Sequence, residues 1–557
     1  MDDQVRVFAL GGLDENGKNL QVVEINRDIF IIECGVRFPD KMTPGIDYII
    51  PNYHYFVENK SRVKAYFLLH GHDDEIGALP YIYKEVPAPI YCSQTTRVML
   101  MRFVKHIGMR DLNLNVRTIQ PTSNVEISGR LFSFFHTCHN IADSSGVAIS
   151  TSLGNIVFTS DYIVDNNAEP RYLHDMNAIA KIAEKETLLL MVESGYADKL
   201  GYTAPKHKLT PLISRAIEES RGRTFVALFT PNAYNIGEVF KLANTNHKKI
   251  VCYDEETDEV MNTFVETSEE AIPKSTFVSR DDVNRNRPQD IIILVCAYGA
   301  KLYQKIALLA NGQADDKRIQ INPSDTFIAA APANVNNEVS ATDAIDELYR
   351  SGATIVNLKK EFLTMHASEE DIKMMISIFK PKFYVPVKGR FRFLLANAQL
   401  AVNMGVKLNH TNTFVLDNGN VLNITSSGAK IEPNKIETGD LLVDGAGIAN
   451  ADNSVIEERQ HLSDDGVVVM AVTISKSQRL IIAGPDVQMR GFVFLKDSDS
   501  ILKTLTNIFV TAINDYLAKP HRNIDEARQI IRETCQRMVK KETGKSPIIL
   551  PLIVEID

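Results

Sequence analysis

The first 200 residues alternate short apolar runs with turn-forming residues. Runs such as NLQVVEI, VKAYFLL and GNIVFTS have the length and β-branched content of strands. Helical periodicity lies between some of them, as in Gln94 to His106. From about Lys206 to Glu361 the pattern becomes a strand–helix alternation, which is typical of βαβ units in a parallel sheet. The pattern therefore predicts a layered α/β chain with an inserted parallel α/β domain.

The C-terminal part has a different pattern. A segment rich in Gly, Ala, Asp and Asn, from about Glu437 to Val455, predicts a linker. Beyond it, the runs GVVVMAVTIS and SPIILPLIVEI predict strands, and residues 497–518 and 523–541 have helical periodicity. These elements predict a small α+β domain.

Composition narrows the class of protein. The 557 residues are 44% hydrophobic and 24% charged, as in ordinary globular chains, and their number suggests three or four domains. We expect no membrane association and no signal peptide, because long uncharged apolar runs are lacking and the N-terminus is acidic. Six scattered cysteines without CxxC pairs indicate reduced thiols and a cytoplasmic location. The net charge of −9 argues against a protein that coats polyanions, but not against a local basic groove.

The stretch LLHGHDDEIG contains a candidate metal site. His70, His72 and Asp74 follow an apolar strand, and Gly71 between the histidines makes a turn easier. Imidazoles and carboxylates are ligands for Zn²⁺ or Mn²⁺. His139 and Asp161 each follow a further strand, so four ligands from three strand ends would form one site. Isolated histidines such as His54 and His106 are more often structural.

These motifs, together with GGLDENGKN, HNIADSSGV, GNIVFTSDYIVD, ELYRSGATIV and FKPKFYVPVKGRFR, resemble the ribonuclease J family over nearly the whole chain. The resemblance implies an α/β fold: a metallo-β-lactamase αββα sandwich with an inserted β-CASP α/β domain and a small C-terminal α+β domain. The implied boundaries are 1–205 and 366–440 for the metallo-β-lactamase domain, 206–365 for the β-CASP domain, 441–455 for a linker and 456–557 for an oligomerisation domain.

The same resemblance implies a metal-dependent ribonuclease. Its expected activity is 5′-to-3′ exonucleolytic, with endonucleolytic cleavage as an addition, on single-stranded RNA with a 5′-monophosphate in rRNA maturation and mRNA decay. Catalysis would depend on His72 and Asp74. One ion would be held by His70, His72, His139 and Asp161; a second would use the positions of Asp74, Glu75, Asp161 and Lys388.

The chain departs from the family pattern at the second ion. Glu75 and Lys388 stand where histidines are expected, and an ammonium has no lone pair with which to ligate a metal. We therefore expect one Zn²⁺ or Mn²⁺ per chain, with Lys388 in place of the second charge and paired with Glu75, close to Asp74. Tyr234 and Met365 also stand at positions assigned to family histidines, and Glu193 replaces an aspartate, as in a catalytically degenerate paralogue.

RNA contacts are expected beside this cleft. The predicted RNA-binding residues are Thr364, Met365, His366, Ala367, Ser368, Lys388 and Arg390. Ser368 and Asp371 form a capping-box pattern, so the loop 364–368 either holds a phosphate at a helix N-terminus or simply caps that helix. The run VKGRFR interleaves basic and aromatic residues, which suits a single strand but also a solvated strand edge.

Two functions remain open from the sequence. The first is a weakly active ribonuclease; the second is a non-catalytic subunit that binds RNA and stabilises or modulates an active ribonuclease J paralogue. Either would act as a homodimer or hetero-oligomer, including within an RNA degradosome. A small-molecule hydrolase is disfavoured, because the inserted domain resembles the nucleic-acid branch of the fold.

Overall fold

The computed structural model describes residues 2–39, 43–230, 232–268, 273–314, 316–333, 337–359, 361–433, 435–445, 447–450, 453–491, 498–521 and 523–556. The chain divides into two compact units. The first consists of Met1–Phe38 and Tyr48–Ala446, and the second of Pro39–Asp47 and Gly447–Asp557. In the described residues, none of the helices is long and apolar enough to cross a membrane.

The first unit begins with alternating strands and short helices. Its strands are β1 (Val5–Gly11), β2 (Leu20–Ile25), β3 (Asp28–Ile32), β4 (Tyr48–Pro51), β5 (Val63–Leu68), β6 (Ile90–Cys92), β7 (Val116–Thr118), β8 (Asn124–Ile127), β9 (Arg130–His136), β10 (Ser145–Thr151), β11 (Gly154–Phe158) and β12 (Thr187–Glu193). Its helices are α1 (His54–Glu58), α2 (Asp73–Ile76), α3 (Leu79–Tyr83), α4 (Gln94–His106) and α5 (Met176–Ala183). The predicted helix from Gln94 to His106 is confirmed as α4.

An α/β domain is inserted after β12. Its strands are β13 (Thr224–Phe229), β14 (Lys249–Cys252), β15 (Ile291–Ala297), β16 (Thr326–Ala329) and β17 (Thr354–Asn357), and its helices are α6 (Thr210–Glu219), α7 (Ala233–Thr245), α8 (Glu255–Thr267), α9 (Gly299–Ala310) and α10 (Glu338–Arg350). The strands are parallel in the order β14-β15-β13-β16-β17. Apolar side chains of α9 and α10 cover one face, and those of α6, α7 and α8 cover the other. Near-continuous apolar strands such as IIILVCA are typical of sheets buried on both faces.

The chain then returns to the first domain. The returning elements are α11 (Glu369–Phe379), β18 (Phe383–Val387), α12 (Phe391–Asn403), β19 (Val421–Thr425), β20 (Gly428–Glu432) and β21 (Asp440–Asp444). One sheet has the order β20-β19-β1-β2-β3-β5-β6-β7, and the other has the order β18-β12-β11-β10-β9-β8. Strand β21 pairs with β4. The segment predicted as a linker from residue 441 therefore begins inside a strand, and its residues 446, 451 and 452 lie outside the described residues.

The two sheets face each other across an aromatic core. Phe67 of β5 lies with its ring centroid 4.7 Å from Phe132 of β9 and 5.6 Å from Tyr91 of β6. Helices α3 and α4 pack on the outer face of the first sheet, and α5, α11 and α12 pack on the outer face of the second. These four layers confirm the predicted αββα sandwich with its inserted α/β domain.

The second unit is the predicted C-terminal α+β domain. Its elements are β22 (Gly447–Asn450), α13 (Asn453–Asp464), β23 (Val467–Ser475), β24 (Leu480–Arg490), α14 (Ser498–Ala518), α15 (Ile524–Thr543) and β25 (Ile548–Ile556). Strands β24, β23 and β25 form a sheet in that order, and α14 and α15 pack on one of its faces. Asn523 caps α15 by accepting from the backbone N–H of Asp525.

The inter-sheet core generates a stability prediction. Phe67→Ala removes a fully buried ring between the sheets, and we expect it to lower the free energy of unfolding of the first unit by about 3–5 kcal/mol. Leu395→Ala is the control, because Leu395 is 52% exposed on α12. Urea denaturation followed by circular dichroism measures both variants. Equal midpoints for the two would contradict the assignment of Phe67 to the inter-sheet core.

Candidate metal centre

The loop between β5 and α2 carries the first candidate ligands. His70 follows the buried end of β5, and His72 is the residue before the first turn of α2. Gly35, three residues after the end of β3, packs against this turn so closely that a Cβ there would lie 1.5 Å from the carbonyl oxygen of Asp74. The glycine at position 71 also has a steric reason: a Cβ would lie 2.4 Å from the sulfur of Met99 on α4. The close approach of two elements therefore accounts for both glycines.

Four predicted ligands converge. Ligand atoms of His70, His72, His139 and Asp161 all lie within 4.8 Å of one another, and all four residues are buried or nearly so. His72 Nδ1 is 3.1 Å from His70 Nε2 and 3.4 Å from His139 Nε2. Asp161 Oδ2 is 3.5 Å from His70 Nε2 and 3.9 Å from His139 Nε2. The polar side chains that follow the ends of β5, β9 and β11 therefore lie close together in one cluster.

This arrangement fits a divalent metal ion. Zinc–nitrogen bonds of 2.0–2.1 Å in a tetrahedral site require ligand atoms about 3.3 Å apart, close to the separations above. Burial lowers the pKa of His70 and His139 well below the ordinary value, and the neighbouring His72 acts in the same direction. Neutral imidazoles with lone pairs directed at one point are the form that binds a metal.

Residues behind the ligands fix their orientation. His139 Nδ1 is 2.8 Å from the carbonyl oxygen of Met365 and therefore carries the proton on that nitrogen. His70 Nδ1 is 3.2 Å from Ser160 Oγ, which donates to the buried Glu33 at 2.9 Å. Such outer partners set the tautomer and the direction of a metal-binding ring. The sequence interpretation missed Ser160 and Glu33, although an acid inside the apolar run IFIIECG was a usable signal.

Lys388, which the sequence analysis placed where the family resemblance implies a second ion, lies between two carboxylates. Its Nζ is 2.8 Å from Asp161 Oδ1 and 3.1 Å from Glu75 Oε1, which confirms the predicted contact with Glu75. The second partner is Asp161, not the predicted Asp74, because Asp74 points to the side chain of Asn19 at 3.4 Å. Asn19 also donates to Glu75 Oε1 at 2.7 Å.

The neighbouring carboxylates keep the Lys388 amine in its charged form. Burial opposes a positive charge, but Asp161 and Glu75 raise the pKa of Lys388 well above the ordinary value. Burial also opposes ionisation of Asp161, and the Lys388 ammonium nevertheless holds its pKa well below the usual range. Burial raises the pKa of Glu75 well above its usual value, and the charge of Asp74 adds to this. An ammonium–carboxylate pair therefore sits beside the imidazole cluster.

His366 and Glu193 form a pair on the other side of Asp161. His366 Nδ1 is 2.8 Å from Glu193 Oε2, and Tyr196 stacks on the imidazole with ring centroids 6.1 Å apart. The sequence interpretation put Met365 at the position of the family histidine. Met365 instead has its side chain buried among apolar residues, whereas the His366 ring is 5.6 Å from that of His139. The histidine of this loop is therefore present at the site, contrary to the interpretation that it was lost.

The N-terminus of α11 is already satisfied within the protein. The backbone N–H groups of Ala367 and Ser368 donate to Glu193 and Asp371, and those of Glu369 and Glu370 donate to carbonyl oxygens of residues 199 and 201. This favours the capped-helix alternative over a phosphate cradle at these positions. Ala367 and Ser368 are buried, Thr364 and His366 are partly exposed, and Arg390 is exposed.

Tyr234 lies apart from the metal ligands. It packs on Tyr172 and His207, with ring centroids 5.0 and 5.4 Å away. It also lines a cavity of about 540 Å³ between the sandwich and the inserted domain, together with residues such as Phe103, Phe240 and Tyr298. Tyr234 therefore has a packing role where the sandwich meets the inserted domain.

Comparison with known proteins identifies the family. A Bacillus subtilis (strain 168) protein named ribonuclease J2 is 30% identical over 100% of this chain and 99% of its own length. The chain belongs to the ribonuclease J family. A Staphylococcus aureus (strain NCTC 8325) protein named ribonuclease J 2 is 31% identical over 99% of this chain and 98% of its own length. In this chain, the family model for the ribonuclease J β-CASP domain matches residues 221–348, and the model for the ribonuclease J C-terminal domain matches residues 454–556.

One solved structure supports the fold alone. The crystal structure of a protein of unknown function from Enterococcus faecalis V583 matches with a TM-score of 0.50 and 15% identity. It covers 79% of this ribonuclease J family chain and 100% of its own.

The His366–Glu193 pair generates a pH prediction. Burial lowers the pKa of His366, but Glu193 outweighs it and raises the pKa to about 9. Glu193→Gln removes that charge, and we expect the His366 pKa to fall to about 6.5 or below. Histidine NMR titration of chelator-treated protein measures the change in the His366 pKa.

The His366–Glu193 pair also makes stability depend on pH. Its contribution to the free energy of unfolding is fully present below about pH 6.5 and is lost as pH rises to about 9. The variant and the wild type should therefore converge in stability at high pH. An unchanged His366 pKa would contradict the assignment.

Proposed function

We propose that this chain is a ribonuclease J-type ribonuclease that holds one divalent ion and turns over slowly. The observation that carries the proposal is the combination of a complete three-histidine, one-aspartate cluster with the Lys388 ammonium, 2.8 Å from the shared Asp161. The substrate class is single-stranded RNA with a 5′-monophosphate, cleaved from the 5′ end and also internally, in rRNA maturation and mRNA decay.

The ion would be held by His70, His72, His139 and Asp161, with zinc or manganese as candidates because nitrogen and oxygen donors suit both. A bound divalent ion supplies Lewis acidity to the site. Lys388 supplies a fixed positive charge next to it and so neutralises part of the negative charge of a phosphodiester.

His366 supplies the proton. Its pKa of about 9 keeps the imidazole protonated near neutral pH, and its side chain is 39% exposed, so that a bound substrate can reach it. Glu193 Oε2 fixes the Nδ1–H, which leaves Nε2 to donate to the leaving oxygen. Arg390 and the 45%-exposed Phe391 lie beyond Lys388 and offer a cation and a stacking surface for a single strand.

Slow turnover follows from the replacement of the second ion. Two-metal sites clamp the attacking and the leaving oxygens of the phosphoryl group between ions about 3.5–4 Å apart. An ammonium carries one charge, has no ligand-exchange sites and is held by Glu75 and Asp161. The site thus keeps its electrostatic attraction for the phosphate, but it loses the second ion that would hold one of the reacting oxygens in place.

A second function is favoured by the same observation. Because Lys388 and Glu75 close the second ion site, the chain suits a non-catalytic subunit that binds RNA and stabilises an active ribonuclease J paralogue in a hetero-oligomer or degradosome. The two functions differ in whether the cluster of imidazoles takes part in RNA hydrolysis.

Metal stoichiometry tests the site. We expect about one ion per chain by mass spectrometry of the protein, and His139→Ala to weaken binding by more than about 100-fold because a direct ligand is lost. The double variant Glu75→His, Lys388→His restores two lone-pair donors, and we expect it to bind a second ion. His106→Ala, at the end of α4, is the matched control. Two ions in the unmodified chain would contradict the role given to Lys388.

Exonuclease assay separates the two functions. We expect the unmodified chain to degrade 5′-monophosphorylated RNA slowly, and the His72→Ala, Asp74→Ala form to lose that activity by at least about 100-fold. The Glu75→His, Lys388→His variant should be faster than the unmodified chain. If the unmodified chain and the His72→Ala, Asp74→Ala form behave alike, the non-catalytic subunit replaces the enzyme.

A further inference from the structure

Helix α4 carries positive charge and no acidic residue. Its 13 residues include no Asp or Glu and four basic residues: Arg97, Arg102, Lys105 and His106. The longer segment 84–118 contains six Lys and Arg and two acids, a net charge of +4 in a chain whose net charge is −9. Positive charge is therefore concentrated on one part of the sandwich surface.

The stability of the helix does not account for this pattern. Cations are favourable at a helix C-terminus, which explains Lys105 and His106 in the last turn. Arg97 lies in the first turn, where the partial positive charge of the helix dipole repels a cation. Arg102 and Lys105 are neighbours on the helix surface, where like charges repel. A bound anion would compensate both repulsions.

Three cations of this segment are exposed and have no acidic partner. Arg97, Lys105 and Arg110 form no ion pair with any residue that the structure describes. Arg102 differs from them, because its Nε donates to Glu266 of α8 at 3.2 Å and so joins α4 to the inserted domain. Exposed cations without a carboxylate partner remain available to phosphates.

These cations lie next to the cavity between the sandwich and the inserted domain. Four residues of α4 line that cavity: Met99, Arg102, Phe103 and His106. Arg97 and Lys105 are on the exposed side of the same helix, and the 43%-exposed Met101 lies between them. Eight helical residues separate Arg97 from Lys105 by about 12 Å along the helix axis. A strand that leaves the cavity across α4 would meet both cations.

The chemistry of this surface favours a single strand of RNA. At a rise of about 3.4 Å per nucleotide, the 12 Å between the two cations matches about three or four nucleotides of a stacked strand. A helix that binds a membrane surface needs a broad apolar face beside its cations. In the described part of α4, Met101 is the one large apolar side chain that is exposed.

We propose that Arg97, Lys105 and Arg110 form a row that binds phosphates of single-stranded RNA outside the cleft of the metal cluster. This inference deepens the proposed function and rests on it for the identity of the polyanion, but it does not depend on hydrolysis. The row holds the part of the strand that lies away from the cleavage point. It therefore contributes to RNA affinity and not to the chemical step.

Fluorescence anisotropy tests the row, with 3′-labelled oligoadenylates and full-length protein in EDTA so that hydrolysis plays no part. We expect Arg97→Gln, Lys105→Gln, Arg110→Gln to weaken binding of an oligomer of about 20 nucleotides at least tenfold in about 0.1 M salt. The slope of log affinity against log salt should fall in magnitude by about 2, because each single-strand contact contributes about 0.7. Binding of an oligomer of about 4 nucleotides, which occupies only the cleft, should not change.

Two further variants serve as controls. Lys503→Gln, Lys540→Gln, Lys541→Gln removes the same charge from exposed positions of α14 and α15. Arg97→Lys, Arg110→Lys keeps the charge of the row and changes only the shape of the side chains. Both should bind the longer oligomer like the unmodified chain. Circular dichroism melting verifies folding, and if the triple variant does not fold, Arg97→Gln and Lys105→Gln alone should each lower the slope by about 0.7.

Each outcome decides for or against the row. Equal salt slopes for the triple variant and the unmodified chain would overturn the proposal. Equal losses on the short and the long oligomer would place the contacts inside the cleft and also overturn it. So would loss of binding to phosphatidylserine vesicles with unchanged binding to RNA, which would assign the row to a membrane surface. An absence of hydrolysis in the exonuclease assay leaves the expected slopes as they are, so the two proposals fail separately.

Discussion

The buried contact of Lys388 with Asp161 and Glu75 determines how the rest of the site must be interpreted. A single carboxylate, Asp161, faces the imidazoles of His70 and His139 through one oxygen and an ammonium through the other. Removing a charge from water is costly unless a partner compensates it, and here each group compensates its neighbour. The candidate metal ligands and the lysine are therefore one electrostatic unit, in which changing one member alters the electrostatic environment of the others.

The sandwich supplies the rigidity that this unit needs. His70 follows β5, Asp161 follows β11 and Lys388 follows β18, so three strands of two facing sheets set the positions of these groups. The aromatic core between the sheets, centred on Phe67, keeps those strand ends at a fixed separation. The turn at Lys388 has a φ of 59°, a conformation that ordinary residues seldom adopt, and Gly389 continues it at 105°. This turn lies directly at the residue whose ammonium contacts Asp161.

Much of this was predictable from the sequence. Alternating apolar runs identified the strands, and helical periodicity located α4 and the two long C-terminal helices closely, because each signal is local. The four residues of the buried cluster were also predictable, since each of these polar residues follows an apolar strand. The second carboxylate partner of Lys388 could not be predicted from the sequence, because the choice between Asp74 and Asp161 depends on how two distant loops meet. The sequence analysis assigned the position of the family histidine to Met365, one residue before His366. Neighbouring loop residues point in different directions, and only the packing of the loop shows that His366 faces the site.

A cation that is part of the polypeptide differs from a bound ion in one lasting respect: it has no dissociation constant. Lys388 is present at full occupancy whatever the cell's supply of divalent metals, and neither chelation nor competition among metals can remove it. With one divalent ion bound, the single positive charge of Lys388 would belong to the polypeptide, and the two positive charges of the ion would come from the surroundings. Metal starvation would remove only the ion, and the contacts of Lys388 with Glu75 and Asp161 would remain.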